Sequence, residues 1–217
     1  MQKDERVTAI AAMFGCDDAL AGQLDRSVVP LAIPHKTMIA HQGDPSDQCW
    51  LVIDGTVHIQ LIGFDGQRVQ LAYHGPGEIF GAYPDNTTHR ADIVAQGQVQ
   101  VLRIPTATLS AMSDAHAPIG AGLARRLGRQ LDMSLDRMAA RSTLSAPGRV
   151  HSELLRMAGD KNRIEPAPKV TALALNANTT RETASRAVSA LERRGVIERT
   201  DEAMIIVAPR MLRDMVY

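Results

Sequence analysis

The sequence predicts an α+β chain: a β-roll near the amino terminus, then one long helix, then a small helical unit that ends in a strand pair. Two changes of texture carry that reading. From about residue 30 to 104, the short β-branched runs WLVID, TVHIQLI, RVQLAYH, ADIVA and VQVLRIP alternate with the turn signals GD, DGT, FDGQ and GPGE. That spacing is the pattern of an all-β roll or barrel. After Pro105 the period becomes helical, and Ile119, Leu123, Leu127, Leu131, Leu135 and Met138 recur every three or four residues.

The chain can bury a real core, with 217 residues, 45% hydrophobic and 22% charged. Its formal charge is zero, so a nucleic-acid site would have to be a local patch. Cys16 and Cys49 are the only cysteines, which excludes a disulfide framework and a CxxC metal pair. They read as small buried or half-buried side chains. MQKDERVTAI breaks its apolar character too early for a signal peptide, and no apolar run nears the roughly 18 residues of a membrane span. The expectation is a soluble cytoplasmic protein without a membrane partner.

Taken in order, residues 7–28 predict two short helices broken at Gly15, with Val7, Ile10, Ala11, Phe14, Leu20 and Leu24 apolar. The roll follows, then a short helix over 106–112 and the long one over 115–141. A stripe nearly eight turns long has too much apolar surface for a small roll to cover, so part of it is expected to meet a second copy of itself. The alternative is a helix lying wholly on its own domain. RSTLSAPG, 141–148, clusters Ser, Pro and Gly and reads as a hinge. Beyond it come an amphipathic helix with Val150, Leu154, Leu155 and Met157, a polar loop GDKNRIEPAPK, two helices with a tight turn, and the strand pair VIER and MIIV around TDEA.

The two helices are predicted over 170–177 and 181–194. Asn178 between them can take the left-handed conformation a helix-turn-helix corner needs, and Thr179 or Thr180 can cap the second helix. Thr179 and Glu182 have capping-box spacing. At about 100° per residue, Ala184, Ala187, Val188 and Leu191 share one side of that helix, and Arg181, Glu182, Ser185, Arg186 and Ser189 share the other. Guanidinium groups suit the paired acceptors of guanine and a carboxylate can accept from cytosine N4, so Arg181, Glu182 and Arg186 form a base-reading set. Lys169, Thr180, Thr183, Ser185 and Arg199 are expected on the DNA backbone. A solvated face of mutually paired Arg and Glu is the competing reading. From Ser142 onward twelve basic residues stand against nine acidic ones, a mild local excess.

The order of parts and the TRETASR core resemble the CRP/FNR family of bacterial transcription regulators. Arg181, Glu182, Thr183 and Arg186 match its R-E-T-x-x-R recognition helix, and HQGDPSDQCWLVIDGTVHI resembles its G-D-x(n)-Y-x-I-x-x-G-x-V segment, with Trp50 in the aromatic place. The resemblance implies a double-stranded β-helix (β-roll) sensor domain over 1–113, a dimerisation helix over 114–141 and a winged helix-turn-helix over 142–217. It implies double-stranded DNA with a palindromic TGTGA-like site, a homodimer interface through Leu123, Leu127, Leu131, Leu135 and Met138, and RNA polymerase as a further partner. The 159–165 loop, where that contact would fall, is shorter here.

It also implies an effector pocket, whose counterparts are Gly81, Ala82, Thr88 and Arg90 in the cassette GEIFGAYPDNTTHRADIVA and Gln130 and Ser134 on the long helix. Here the residues depart from the pattern. Ala82 stands where cyclic-AMP-binding members place a ribose-binding Glu, Arg90 is followed by Ala91 rather than a hydroxyl residue, and the loop is about two residues shorter. Losing an acceptor and a donor costs about 1–3 kcal/mol each if their partners stay buried. Cyclic AMP in the usual pose is therefore not expected. Arg90 either takes another anion or pins the loop through Asp85 or Asp92.

Two cysteines exclude an iron–sulfur cluster, which needs about four. His74 and His89 flank the cassette without the Cys or His inside it that haem-binding members show, so haem is not expected. His35, His41, His58 and His74 lack the spacing of a cupin-like metal site, so neither a metal nor an enzyme is signalled. A small-molecule or nucleotide effector, or a vestigial sensor without one, stays open.

Overall fold

The computed structural model describes residues 1–63 and 68–216; the predicted FDGQ turn lies outside them. The chain divides into two compact units, Met1–Met133 and residues 134 onward.

The first unit opens with α1 (Lys3–Phe14) and α2 (Asp18–Asp25). Gly15 ends α1 in the left-handed conformation, φ 70°, and the Asp17 carboxylate accepts the Leu20 N–H at 2.8 Å to start α2. The roll follows as β1 (Val29–Ile33), β2 (Met38–Ala40), β3 (Pro45–Ser46), β4 (Gln48–Ile62), β5 (Arg68–His74), β6 (Ile79–Gly81), β7 (Thr87–Thr88) and β8 (Asp92–Pro105). Its main sheet runs β1-β8-β4-β5, with β2 added to β8 and β6 to β4, while β3 and β7 pair apart from it.

The sequence expectation of separate WLVID and TVHIQLI strands fails here. Both belong to the single strand β4, and ADIVA with VQVLRIP likewise form β8. The DG signal marks a bulge instead of a turn: register shifts between Val52 and Thr56, where Gly55 sits at φ +80°. A Cβ there would stand 2.4 Å from the Gln98 carbonyl oxygen, so the paired strands bend tightly only without one. Alternation sends Leu51 and Leu102 to a core shared with α1 and α2, and Val52 and Val101 to the inside of the roll.

Next come α3 (Thr106–Ala115) and the long α4 (Ala117–Thr143). The start of α4 is taken up by its own unit. Ile119 and Leu123 are 0% and 1% exposed, and Gly122 lies so close to α1 that a Cβ would meet the Phe14 carbonyl oxygen at 2.3 Å. Arg125 and Arg126 donate to the Phe14 and Met13 carbonyls at 3.1 and 2.6 Å, supplying the positive charge that the last turn of α1 lacks. Leu123 is therefore a core residue and not the interface residue the stripe suggested. Leu127, Leu131, Leu135 and Met138 are exposed by 39%, 60%, 52% and 63%.

The second unit comprises α5 (Ala146–Ala158), β9 (Arg163–Ile164), α6 (Val170–Asn176), α7 (Arg181–Arg193), β10 (Ile197–Arg199), β11 (Met204–Ile206) and α8 (Pro209–Asp214). The predicted hinge shrinks to Leu144 and Ser145. The Ser145 hydroxyl accepts the Gly148 N–H at 3.1 Å, and Pro147 fits the first helical turn, where no N–H is needed. Gly148 is a packing residue, its missing Cβ leaving room for the Val216 carbonyl. Two elements escaped the sequence reading: β9, inside the supposed polar loop, adds a third strand to the wing through β11, and α8 follows it. Leu154, Leu173, Ala184, Val188, Leu191 and Leu212 form the core.

Candidate DNA interface and β-roll cavity

The corner between α6 and α7 is built from the residues the sequence singles out. Asn178 takes φ 47°, and the Thr179 N–H reaches back to the Ala174 carbonyl at 2.9 Å. Thr180, and not Thr179, caps α7: its hydroxyl accepts the Thr183 N–H at 3.2 Å and lies 3.1 Å from the Thr183 hydroxyl. That corrects the proposed Thr179–Glu182 capping box.

Ala184, Ala187, Val188 and Leu191 of α7 are buried, leaving Arg181, Glu182, Ser185 and Arg186 exposed together. Arg181 and Arg186 make no hydrogen bond or ion pair with the protein among the described residues, contrary to a mutually paired face. The Glu182 carboxyl is held below its usual range by a hydrogen bond from its own backbone N–H, then by the Thr180 hydroxyl and the nearby Arg181 and Arg186 charges. It is a ready acceptor between two ready donors.

Lys169 and Arg199 are brought together in one groove, but beside Glu192 and Asp201. Glu192 lies eleven residues past Arg181, roughly 16 Å along the helix. Those two cations therefore belong to the far end of α7 and share their groove with carboxylates.

Arg149 went unremarked in the sequence except as one basic residue among twelve. Its guanidinium spans three carbonyls: Nε to Ala177 at 2.8 Å, Nη2 to Asn178 at 3.0 Å and Nη1 to Leu144 at 3.1 Å. A rigid fork of five donors can do this where an ammonium would not. Glu153 adds a second brace, accepting from Asn176 at 3.0 Å and from Arg156 at 2.7 Å.

In the roll, residues of β3 to β8 line a solvent-open pocket of about 350 Å³. Gly81, Thr88 and Arg90 are among the residues that line it. Ala82 is fully buried outside the lining, its N–H taken by the Gln48 carbonyl at 2.9 Å. The Gln130 amide is already committed: its oxygen accepts the Ile79 N–H at 3.1 Å, and its nitrogen reaches the Ile79 carbonyl at 2.8 Å and His74 Nδ1 at 3.2 Å. Ser134 accepts from Arg137 Nη2 at 2.9 Å. Gln130 and Ser134 are thus engaged within the protein.

Arg90 pairs with neither Asp85 nor Asp92. Asp92 is buried, accepts the Gln42 N–H at 2.9 Å and faces His41 at 3.9 Å. Ser46, which the sequence reading passed over, is 3% exposed beside the pocket; its Oγ is closed to solvent and has no hydrogen-bond partner among the described residues. Among the described residues no group of three His, Cys, Asp or Glu could hold a metal ion, and no helix is long and apolar enough to cross a membrane.

A β-roll cavity and an exposed, capped recognition helix in one chain define a transcription regulator with a nucleotide-binding-type domain and a helix-turn-helix. Comparison with known proteins agrees: residues 30–116 match the cyclic nucleotide-binding domain and residues 148–215 the Crp-like helix-turn-helix domain. The chain is 32% identical over 172 residues to the "Cyclic AMP receptor protein" of Thermus thermophilus, covering 76% of this chain and 77% of that one. It is 24% identical over 214 residues to the "CRP-like cAMP-activated global transcriptional regulator" of Mycobacterium tuberculosis, covering 93% and 95%. The fold matches the structure of a CooA mutant from Carboxydothermus hydrogenoformans with a TM-score of 0.76 at 17% identity, over 100% and 98% of the two chains. The chain belongs to the CRP/FNR family of transcription regulators.

Proposed function

We propose that the chain acts as a homodimer reading a palindromic TGTGA-like site, and that an effector other than cyclic AMP controls it through the β-roll. The observation that carries the DNA reading is the exposed set of Arg181, Glu182 and Arg186, without an ion pair among the described residues, on a helix whose opposite face is buried. Two such helices related by a dyad would address half-sites one helical turn, about 34 Å, apart. Exposure of Leu127, Leu131, Leu135 and Met138 along α4 supports a second copy as the partner of that face.

One relative is named a cAMP-activated regulator and another a cyclic AMP receptor protein, yet the positions that would serve a ribose offer little here. Ala82 has no side-chain acceptor, and the Gln130 amide is engaged with Ile79 and His74. An effector can act only through differential affinity for the DNA-competent arrangement. The protein works in the cytoplasm beside RNA polymerase and catalyses no reaction in this reading.

The test is a titration against a TGTGA-type palindrome at fixed salt. Arg181→Ala and Arg186→Ala each lower discrimination against a mutated half-site by about 1–3 kcal/mol; unchanged preference would overturn the assignment. On the effector side, millimolar cyclic AMP raises the melting temperature little, since stabilisation follows ligand over dissociation constant. A rise of several degrees would restore cyclic AMP as the effector.

A further inference from the structure

We propose that a proton gates the hold of the β-roll on α4: neutral His74 keeps the Gln130 amide clamped to Ile79, while protonated His74 turns to Glu78 and lets the amide go. Only the output of this latch, operator binding, rests on the regulatory reading above.

The backbone fixes the tautomer. Gln130 Oε1 accepts the Ile79 N–H at 3.1 Å, and Gln130 Nε2 donates to the Ile79 carbonyl at 2.8 Å. That two-point pairing decides which end of the amide is nitrogen, since a turned amide would set N–H against N–H and oxygen against oxygen. The second Nε2 hydrogen is then directed to His74 Nδ1, 3.2 Å away, and only a bare ring nitrogen can accept it. His74 is therefore neutral in the clamped state, with its proton on Nε2.

A second partner stands ready for the charged ring. Glu78 Oε2 lies 3.9 Å from the same Nδ1, too far for a hydrogen bond and near enough to accept one after a small turn of the ring. The Gly75 N–H holds that carboxylate in place at 2.6 Å. The two side chains are only 15% and 16% exposed, so the ring exchanges one protein partner for another. Because the clamped state needs a bare Nδ1 and the released state does not, acidification favours release.

The neighbouring charges do not titrate in the same way. Arg126, one turn before Gln130 on α4, donates to the Gly77 carbonyl at 2.5 Å, and a guanidinium stays charged wherever an imidazole titrates. It is a permanent hold beside a conditional one. Arg90 lines the same pocket as His74 and is likewise fixed in charge. Burial keeps the imidazoles of His89, on that lining, and His58, opposite Tyr73 on β4, uncharged to lower pH. In sequence Gln130 stands between Leu127 and Leu131 of the exposed stripe, so a loosened clamp weakens the pairing of two copies and operator binding with it.

Long-range proton–nitrogen NMR spectra of the full-length protein, without DNA, read the latch directly. At pH 8 His74 shows the Nε2–H tautomer, and on acidification to pH 5.5 the Gln130 amide signals move together with the His74 ring. Operator titrations at fixed salt read the output. His74→Asn sets an amide oxygen where Nδ1 was and cannot titrate, so it keeps the affinity measured at pH 8. Between pH 8 and 5.5 the wild-type affinity falls about fivefold further than that of His74→Asn, the worth of one hydrogen bond. Gln130→Ala binds more weakly than wild type at pH 8 and lacks the extra fall, and Glu78→Gln moves the fall to lower pH.

An Nδ1–H tautomer at pH 8, Gln130 signals that ignore the His74 titration, or equal pH slopes in wild type and His74→Asn would each overturn the proposal. If no operator is bound at any pH, the DNA reading fails by itself and the spectra alone decide the latch.

Discussion

Replacing Arg149 by alanine tests whether one side chain holds the reading head in place. The guanidinium makes three charge-assisted bonds, to the carbonyls of Leu144, Ala177 and Asn178 at 3.1, 2.8 and 3.0 Å. The Asn178 bond is exposed and water replaces it cheaply. The other two are partly buried and contribute on the order of 1 kcal/mol or a little more each. Arg149→Ala thus costs about 2–3 kcal/mol, roughly 10–20 °C in the melting temperature of a unit this small. Arg149→Lys recovers less than half, because a single ammonium reaches one carbonyl well and not three.

Far-ultraviolet circular dichroism of a thermal melt reads the stability, and an operator titration well below the new midpoint reads orientation separately. The Asn178 corner aims α7, so affinity falls even where the protein is fully folded. A melting temperature within 2 °C of wild type, with operator affinity unchanged, would show that the fork contributes nothing and that the reasoning from its geometry is wrong.

Further outcomes follow from other positions. Gly81→Ala places a Cβ 2.2 Å from the Gln48 carbonyl oxygen at φ +98°, so it destabilises by about 3 kcal/mol or more, read in a urea titration; a loss under 1 kcal/mol would contradict the close approach. Leu131→Asp, at a position 60% exposed in the single chain, leaves the fold intact and yields monomers in light scattering, since a carboxylate in a self-paired stripe is costly to desolvate; a dimer of normal mass would refute the interface. Burial pushes the Cys49 thiol up to about 12. It therefore resists alkylation in the native state at pH 8, where only the half-buried Cys16 reacts, and slowly, since burial and Asp17 push its thiol up as well. Because Cys49 keeps its proton while an unfolded chain's thiols ionise near 9, stability declines as pH rises from about 9 to 12; two reacting thiols in the native state would show that Cys49 is open to solvent.

How much of this was legible in sequence depended on whether the signal was local. Asn178, the α7 faces and the Gly15 break follow from spacing within a turn or two, and the structure places them accordingly. The cap moved by one residue because Thr179 and Thr180 are equivalent by composition and only the chain path chooses. Gly55 and Pro147 carried the right residue preference with the wrong consequence: a bulge and a helix start draw on the same Gly and Pro properties as a turn and a hinge. Arg149, Ser46 and the fate of Leu123 were illegible. Each is defined by partners, or the lack of them, many residues away, and the Leu123 stripe cannot say which of its turns α1 will cover.

The long strands β4 and β8 also set the order in which the molecule can assemble. Gln48 must wait for Pro105, nearly sixty residues later, and even the near end joins Gln60 to Asp92. The wing closes Arg199 on Met204 across a four-residue turn, and α6 meets α7 just beyond the Asn178 corner. Loop closure over such different distances gives the carboxy-terminal unit low contact order and the roll a high one. On the ribosome the roll is translated first, yet it cannot close until Pro105 has emerged, so its apolar strands stay unpaired while α1 and α2 already have each other. Synthesis, rather than the finished fold, is where its aggregation risk lies.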